Sequence, residues 1–430
     1  MNVTQEIFEN ELLLEKHSDQ KTLVAKRAEG FELFQRKGLP TSKDEDWKFT
    51  NLNRLLKDDF RFDVVQSNPL SSKSPINGLD ACTLVINNGK FIAELSDELP
   101  EGVVFMDYKS ALTNPAYTER IGTIAPIGND AMLGFNIAFF KHFYVLHIKA
   151  KKQIEKPIHI SHRIIGSEAP TAHVYRLLII TEELSESTLI ETFDYDSQNS
   201  DFVSYVCETS VAASSIFHSH LIHAGNEGLH LVQHREVEQF SNSTFSNTNL
   251  VLGDASLIRT NFNCRIKGTG TETNLYGSYI LNNQQHADSH TIVDHQMPNS
   301  NSTELYKGIM MDRSHGVFNG KIFVRQDAQK TNAFQKNNNI LLSDQATINS
   351  KPQLEIFADD VKCSHGSTVG QFDEEALFYL QTRGIGENLA KKMLIQAFID
   401  EVHNHIPIES LKAYVNQLLQ RKLKTDSAIT

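Results

Sequence analysis

The segment Cys363-Ser364-His365 places a thiol and an imidazole two positions apart. In an extended strand, residues i and i+2 lie on the same face, so we expect the Cys363 and His365 side chains to project together. A soft thiolate beside an imidazole is a natural ligand pair for iron or zinc, and it also suits sulfur chemistry. The common alternative is a buried thiol beside a hydrogen-bonded histidine, so the pair alone does not define a site.

Histidines are concentrated in HSHLIHAG and the residues that follow, at positions His218, His220, His223, His230 and His234. An HxH pair on a strand points both rings to one face, which is a geometry that metal ions use. One hypothesis is therefore a stand-alone metalloprotein. No cysteine or paired carboxylate stands at a matching ligand spacing, so we favour a polar strand face that is rich in histidine.

Two glycine-containing segments resemble binding loops without meeting their requirements. Gly316 and Gly320 precede Lys321, but only three residues separate them, and Ile322 stands where a phosphate loop needs Ser or Thr. We exclude autonomous nucleotide hydrolysis and predict tight turns at these glycines. Residues 384–386 (Gly-Ile-Gly) resemble a turn that presents amides to DNA phosphates, but the acidic surroundings favour a plain turn between two packed helices.

A set of aspartates and arginines offers a further alternative, a carbohydrate-active enzyme on a β-solenoid. Carboxylates can supply acid and base catalysis for cutting acidic polysaccharides. Such enzymes are typically secreted, and the amino terminus shows neither a basic nor an apolar leader region, so we favour outward-facing charges on strands. The residues of this set are Asp312, Arg313, Arg325, Asp327, Asp359 and Asp360.

The longest region of the chain, residues 141–362, is predicted to form a mainly β core. Short β-branched or aromatic runs alternate there with Asn, Ser, Thr, Asp and Gly clusters, and helical periodicity largely disappears. Between residues 258 and 266, the side chains of Ile258, Phe262, Cys264 and Ile266 share one side of an extended strand. Length and polar turns favour a β-solenoid over a sandwich or barrel, although no clean repeat period is visible.

Helical regions are predicted on both sides of this core. Residues 1–140 form a helical and mixed region, in which residues 21–37 carry apolar side chains at helical spacing. Residues 363–430 form a helical domain, with helices predicted at about 372–381, 387–403 and 409–423. Asp373 is the expected N-cap of the first of these three helices.

The composition limits the classes of function. The chain has 430 residues and a formal net charge of −12, which argues against nucleic acid or an anionic membrane as the main partner. No segment is long and apolar enough to suggest a membrane span. The four cysteines are far apart, which argues against a disulfide framework and favours a reducing, cytoplasmic location.

Residues 316–385 closely resemble the signature region of the SufB/SufD family, the non-ATPase subunits of an iron–sulfur cluster assembly complex. This segment begins GVFNGKIFVRQDAQ and ends DDVKCSHGSTVGQFDEEALFYLQTRGI. Further resemblance lies at 390–402 (AKKMLIQAFIDEV), at 39–52 (LPTSKDEDWKFTNL) and, more weakly, at 275–302. The SufB branch tends to carry an EHEAT-type sequence near residue 363, whereas CSHGST here resembles the SufD branch.

The resemblance implies a fold and a set of partners. The fold is a right-handed parallel β-helix with helical regions at both ends. The partners are a SufB-like paralogue and a SufC-like ABC ATPase, which the C-terminal helices would dock. The chain itself would be a scaffold subunit and no enzyme. The resemblance assigns ATPase docking to the region that contains Phe378, Leu380, Arg383, Gly384, Ile385, Leu389, Met393 and Phe398.

The resemblance also implies a role for the Cys363-Ser364-His365 segment. His365 matches a family histidine at the subunit interface, where a transient iron–sulfur cluster would be built, so the resemblance also makes it a candidate metal ligand shared with the partner. Cys363 matches the neighbouring family cysteine, whose role stays open. No tightly bound cofactor is expected in the isolated chain. Flavin binding and a homodimer in the absence of partners are left undecided.

Overall fold

The computed structural model describes residues 21–56, 60–62, 73–165, 169–196, 199–371 and 373–424. Its helices are α1 (Lys21–Lys37), α2 (Leu52–Leu55), α3 (Tyr108–Leu112), α4 (Pro115–Thr118), α5 (Ala131–Phe139), α6 (Glu374–Thr382), α7 (Glu387–His403) and α8 (Glu409–Lys424). Two short 3-10 helices lie at Glu45–Trp47 and Ala93–Leu95.

The strands outnumber the helices and cover most of the chain between residues 142 and 370. They are β1 (Cys82–Asn87), β2 (Lys90–Phe91), β3 (Val103–Met106), β4 (His142–Ile148), β5 (Ile158–Ile165), β6 (Ala172–Thr181), β7 (Glu186–Asp196), β8 (Asp201–Val211), β9 (Ile216–His223), β10 (Leu229–Gln239), β11 (Thr244–Val251), β12 (Leu257–Ile266), β13 (Glu272–Leu281), β14 (His286–His295), β15 (Asn301–Met310), β16 (His315–Val324), β17 (Asn332–Leu341), β18 (Thr347–Ile356) and β19 (Lys362–Gly370).

Successive strands from β4 onward alternate between two sheets, and each strand from β4 to β17 pairs in parallel with the strand two places further along the chain. One sheet runs in the order β19-β17-β15-β13-β11-β9-β7-β5-β1-β2, and the other in the order β18-β16-β14-β12-β10-β8-β6-β4-β3. Antiparallel pairing occurs between β1 and β2 and between β3 and β4. This topology is a parallel β-solenoid flanked by helices, and it confirms the predicted fold class.

The space between the two sheets holds the apolar core of the solenoid. Side chains at alternate positions of each strand point into it, as the period of two requires. Ile258, Phe262, Cys264 and Ile266 of β12 all belong to this core, so the predicted shared face of that strand is confirmed.

The N-terminal helix α1 has the predicted bounds and packs against α5 over the first coils of the solenoid. The two helices approach most closely at Gly30. A Cβ atom on Gly30 would lie 2.4 Å from Cγ2 of Ile137 and 2.7 Å from the carbonyl oxygen of Gly134. A glycine is therefore required within the helix, although it lowers helix propensity there.

The C-terminal helices α7 and α8 lie on the outer face of the ten-stranded sheet. Ile395, Ile399 and Val402 of α7 are fully buried against that face, as are Leu411 and Val415 of α8. The helix α6 precedes them and buries only Leu377 among its described residues. Asp373 caps α6, since its carboxylate accepts hydrogen bonds from the amides of Glu375 and Ala376, as predicted.

The solenoid ends at β18 and β19, which we call the open end. Within the described chain, β18 pairs only with β16 and β19 only with β17, so each strand has one bare backbone edge. β19 runs to Gly370, and strand structure therefore continues beyond residue 362. In the part of the chain that the structure describes, the helices are too short or too polar to cross a membrane.

Candidate functional site

Cys363 and His365 lie on β19, the last strand of the ten-stranded sheet. The register places Cys363 beside Ala333 and His365 beside Gln335 of β17. Ala333 and Gln335 are both buried in the interior of the solenoid. Cys363 and His365 therefore occupy interior-facing positions of their sheet. They lie on its last strand, where the interior of the solenoid meets solvent.

The two side chains differ in exposure. Cys363 is half-buried against the apolar core, whereas His365 is exposed. Burial raises the pKa of the Cys363 thiol, and the hydrogen bond with the Ala333 backbone opposes this only in part. The thiol is thus the stable form until a metal ion or a base removes its proton. Three or more His, Cys, Asp or Glu side chains do not converge on a metal position among the described residues. A role of Cys363 and His365 as metal ligands therefore stays a prediction.

Behind His365 lies a buried pair of polar side chains that the sequence did not indicate. The Gln335 amide donates a 2.6 Å hydrogen bond from Nε2 to Oε2 of Glu304 on β15. Both side chains are almost completely buried. Burial raises the pKa of Glu304 to about 7, against the effect of its hydrogen bonds. A carboxyl group in such surroundings is poised between its two protonation states.

One glycine of the GVFNGK segment makes room for the buried Gln335 side chain. Gly316 and Gly320 lie inside β16, so the prediction of tight turns there is wrong. A Cβ atom on Gly320 would lie 2.3 Å from Nε2 of Gln335 and 2.7 Å from Cζ of Phe318. Gly320 therefore provides the space that Gln335 occupies.

A second polar row lies beside Gln335 in the interior of the last coils. Ser367 of β19 shares a 2.7 Å hydrogen bond with Ser350 of β18, and Ser350 donates to Oδ1 of Asn337 at 2.7 Å. Asn337 in turn donates to the hydroxyl of Tyr279 at 2.9 Å. The interior thus changes from apolar to hydrogen-bonding as it approaches the open end.

Large apolar side chains are exposed around the open end. They include Phe334 of β17, which is 43% exposed, and Val369 of β19, which is 53% exposed. Ile356 at the end of β18 and the adjacent Phe357 are also exposed. Exposed apolar groups beside an unpaired strand edge are typical of a surface that another chain covers.

The predicted docking residues fall into two groups in the structure: those near the exposed surface of α6 and α7, and one that packs on the solenoid. Phe378 of α6 and Leu389 and Met393 of α7 are exposed. Arg383 lies with its guanidinium 5.2 Å from the ring centroid of Tyr379. Gly384 is exposed in the turn between α6 and α7, whereas Leu380 and Ile385 are half-buried.

Phe398 belongs to the second group, because it packs on the solenoid. It is half-buried against the apolar cluster beneath α7 and α8. The ammonium group of Lys307 lies 4.4 Å from the centroid of its ring. Phe398 therefore attaches α7 to the sheet.

The histidines between 218 and 234 are divided between the two sheets. His218, His220 and His223 belong to β9 of the ten-stranded sheet, and His230 and His234 to β10 of the other sheet. His223 bonds to Asn249 at 3.1 Å, and His234 pairs with Asp130 at 3.2 Å. The hypothesis of a metal centre built from this segment is not supported.

Two members of the carbohydrate-enzyme set, Arg325 and Asp312, have separate structural contacts. Arg325 pairs with Asp294 at 2.7 Å. Oδ2 of Asp312 accepts a 2.8 Å hydrogen bond from the backbone N–H of Asn283. These contacts favour the interpretation of the set as outward-facing charges on the solenoid.

Comparison with known families agrees with this architecture. Residues 163–398 match the SufBD core domain of the SUF system of FeS cluster assembly, and residues 4–160 match the SufBD protein N-terminal region. The chain belongs to the SufBD family.

Individual relatives cover nearly the whole chain. It is 31% identical to the iron-sulfur cluster assembly protein SufD of Escherichia coli (strain K12), over 90% of each chain. It is 30% identical to an iron-sulfur cluster assembly SufBD family protein of Synechocystis sp., over 93% of this chain and 91% of that protein. It is 24% identical to the SufD protein of Bacillus subtilis (strain 168), over 99% of each chain.

Proposed function

We propose that this chain is a SufD-like, non-enzymatic scaffold subunit of a cytoplasmic iron–sulfur cluster assembly complex. It would pair with a SufB-like paralogue and dock a SufC-like ABC ATPase. The observation that carries the proposal is the open end of the solenoid, where Cys363 and His365 meet solvent beside a bare strand edge. The similarity to iron-sulfur cluster assembly proteins named SufD supports the choice of branch.

Pairing with the paralogue would take place at the open end. The unpaired edges of β18 and β19 offer backbone donors and acceptors to strands of a second solenoid, and strand addition gives a strong and directional contact. The exposed Phe334, Phe357 and Val369 would be covered in the same contact. Apolar burial beside a continuous hydrogen-bond ladder is a suitable basis for a stable subunit pair.

The nascent iron–sulfur cluster is the cargo of this interface. His365 would supply an imidazole nitrogen and Cys363 a thiolate, while the partner would complete the ligand set. Ligation requires a neutral imidazole with a free lone pair on the nitrogen that meets the iron. No resident cofactor is assigned to the isolated chain, and the absorption spectrum of the purified complex would test for flavin.

The ATPase would dock on α6 and α7 through Phe378, Leu389 and Met393, which are exposed on these helices. Dimerisation of two ATPases upon ATP binding would then pull on the helices. Phe398 attaches α7 to β15, so this movement can reach the strands that lead to the open end.

The test is co-expression of the chain with a SufB-like and a SufC-like subunit, followed by affinity capture and reconstitution of cluster assembly. We expect all three proteins to be recovered together and His365→Ala to abolish most of the assembly. His218→Ala is the matched control, because it removes a partly exposed histidine from the same solenoid far from the open end. Failure to recover the partners would reject the proposed complex. Equal activity of the two variants would reject the site.

A further inference from the structure

Three polar residues stand in line across the last strands of the ten-stranded sheet. Glu304 of β15 is in register with Gln335 of β17, and Gln335 is in register with His365 of β19. Neighbouring strands lie about 4.8 Å apart, so Glu304 lies about 10 Å behind His365. The line runs from the buried interior to the open end.

The hydrogen bond to Glu304 fixes which way the Gln335 amide faces. An ionised carboxylate only accepts hydrogen bonds, and a protonated carboxyl group still accepts at its carbonyl oxygen, so the amide nitrogen of Gln335 can meet Glu304 in either protonation state. Nε2 donates to Oε2 of Glu304 at 2.6 Å, and Oε1 of Gln335 is therefore turned away from this carboxylate. Glu304 determines the orientation of the amide.

The Gln335 carbonyl oxygen is a buried acceptor without a donor. Gln335 is 1% exposed, and its Oε1 has no hydrogen-bond partner among the residues that the structure describes. An unsatisfied buried acceptor costs free energy, so a donor that reaches it is favoured. The neighbour on the solvent side is His365, whose neutral ring carries one N–H donor.

A neutral histidine that donates its ring N–H to an oxygen keeps a free lone pair on its other ring nitrogen. Metal-ligating histidines are commonly oriented by such a partner, which fixes both the tautomer and the ring direction. Gly320 keeps the necessary space, since a Cβ atom there would lie 2.3 Å from Nε2 and 2.8 Å from Cδ of Gln335. Glu304 and Gln335 can therefore orient the His365 ring through a chain of hydrogen bonds.

We propose that Gln335 and Glu304 are positioning residues of the His365 site. On subunit pairing, the His365 ring donates its N–H to Oε1 of Gln335, and the other nitrogen faces the partner as a ligand for iron. Glu304 acts through Gln335 by holding the amide in the required orientation. This inference rests on the proposed function, because it assigns the two residues to the same cluster-assembly site.

The test uses the reconstituted three-protein complex with near-isosteric substitutions. Gln335→Met removes the acceptor and keeps the volume, and we expect cluster assembly to fall about 10-fold, as for other second-layer ligand partners. The matched control is Asn247→Leu. Asn247 is a buried amide on β11 of the same sheet, far from the open end, and its side chain has no hydrogen-bond partner among the described residues. The control should retain most of the assembly rate.

Two variants of Glu304 separate orientation from packing. Glu304→Gln keeps an oxygen that can accept from Gln335 and should retain activity, whereas Glu304→Leu should lose it. The visible circular dichroism of the assembled cluster should change in Gln335→Met and stay constant in Glu304→Gln. Affinity capture and thermal unfolding would show that each variant still folds and pairs.

The outcomes distinguish this inference from the proposed function. If His365→Ala is inactive but Gln335→Met assembles clusters normally, the positioning role is wrong and the site stands. If Glu304→Gln is as defective as Glu304→Leu, the carboxyl group does not act by orienting the amide. If His365→Ala is fully active, the proposed site itself fails.

Discussion

The ammonium group of Lys307 lies 4.4 Å from the centroid of the Phe398 ring and donates a 2.9 Å hydrogen bond to the Phe398 carbonyl. It also pairs with the carboxylate of Glu401. Phe398 and Glu401 belong to α7, so one buried lysine of β15 attaches this helix to the solenoid by three contacts. Glu304 lies on the same strand but faces the interior. A movement of α7 can therefore act on the strand behind His365.

Replacement of Lys307 by Met should loosen α7. The substitution removes a charge-assisted hydrogen bond to the Phe398 carbonyl and a cation–π contact, so we expect a loss of about 1–3 kcal/mol in the free energy of unfolding. Hydrogen exchange of the α7 amides should accelerate before global unfolding. Lys391→Met is the control, because its pair with Glu387 lies on the surface of the same helix. Unchanged α7 protection in Lys307→Met would show that the contacts do not attach the helix.

A charge on the exposed face of α7 should weaken capture of the ATPase. Leu389 is 57% exposed, so Leu389→Glu should leave stability nearly unchanged while desolvation of the carboxylate opposes docking. We expect at least a 10-fold loss of affinity, equal to about 1.4 kcal/mol. Leu184→Glu is closely matched, since Leu184 is 56% exposed on a turn of the solenoid. Equal affinities of the two variants, measured by calorimetry, would place the docking surface elsewhere.

The helix bounds were accessible from the sequence because each helix carries local signals. α7 begins and ends at the predicted residues, Glu387 and His403, since its apolar positions recur at helical spacing. Asp373 was identifiable as an N-cap for the same local reason. The shared face of β12 followed from the period of two in its residues.

The repeat period was hidden from the sequence because the coils differ in length. Leu275 pairs with Glu304, 29 positions further on, whereas Gly316 pairs with Ile348, 32 positions further on. Turns absorb the difference, so no fixed spacing survives along the chain.

The buried residues behind His365 could not be identified from the sequence either. Glu304, Gln335 and His365 lie far apart in sequence, and only the register of β15, β17 and β19 brings them into line. The role of Gly320 likewise depends on a contact between two sheets. Residue types alone indicated turns at such glycines, and the correct assignment needed the strand topology.

The four cysteines should differ in their rates of alkylation. Burial raises the pKa of Cys207 to about 11 and that of Cys264 to about 12, and both thiols lie in the core. Cys82 and Cys363 are partly exposed, so mass spectrometry should show them to react first in the native chain.

Subunit pairing should change this pattern at one end of the solenoid. Cys363 lies on β19 at the open end, whereas Cys82 lies on β1 near the other end of the same sheet. Addition of the SufB-like partner should protect Cys363 and leave the labelling rate of Cys82 unchanged, which makes Cys82 an internal control. Equal labelling of Cys363 with and without the partner would contradict pairing through the open end.

Glu304 should make the stability of the chain depend on pH. Burial raises its pKa from 4.5 to about 7, so the folded state holds this proton more tightly than the unfolded state does. The stabilising contribution of the protonated group is complete below pH 4.5 and is lost as the pH rises through 7. Glu304→Gln removes the titration and keeps an oxygen that accepts from Gln335.

The free energy of unfolding of Glu304→Gln should therefore rise relative to that of the unsubstituted chain as the pH increases. At about 1.4 kcal/mol per pKa unit, the relative gain is at most about 3 kcal/mol between about pH 5 and about pH 8. Urea unfolding across this range would measure it. Glu304→Leu also removes the ionisable group, so its relative free energy of unfolding should change with pH in the same way, from a different starting value. A difference that stays constant with pH in both variants would mean that Glu304 remains ionised inside the folded solenoid, with a donor that compensates its burial.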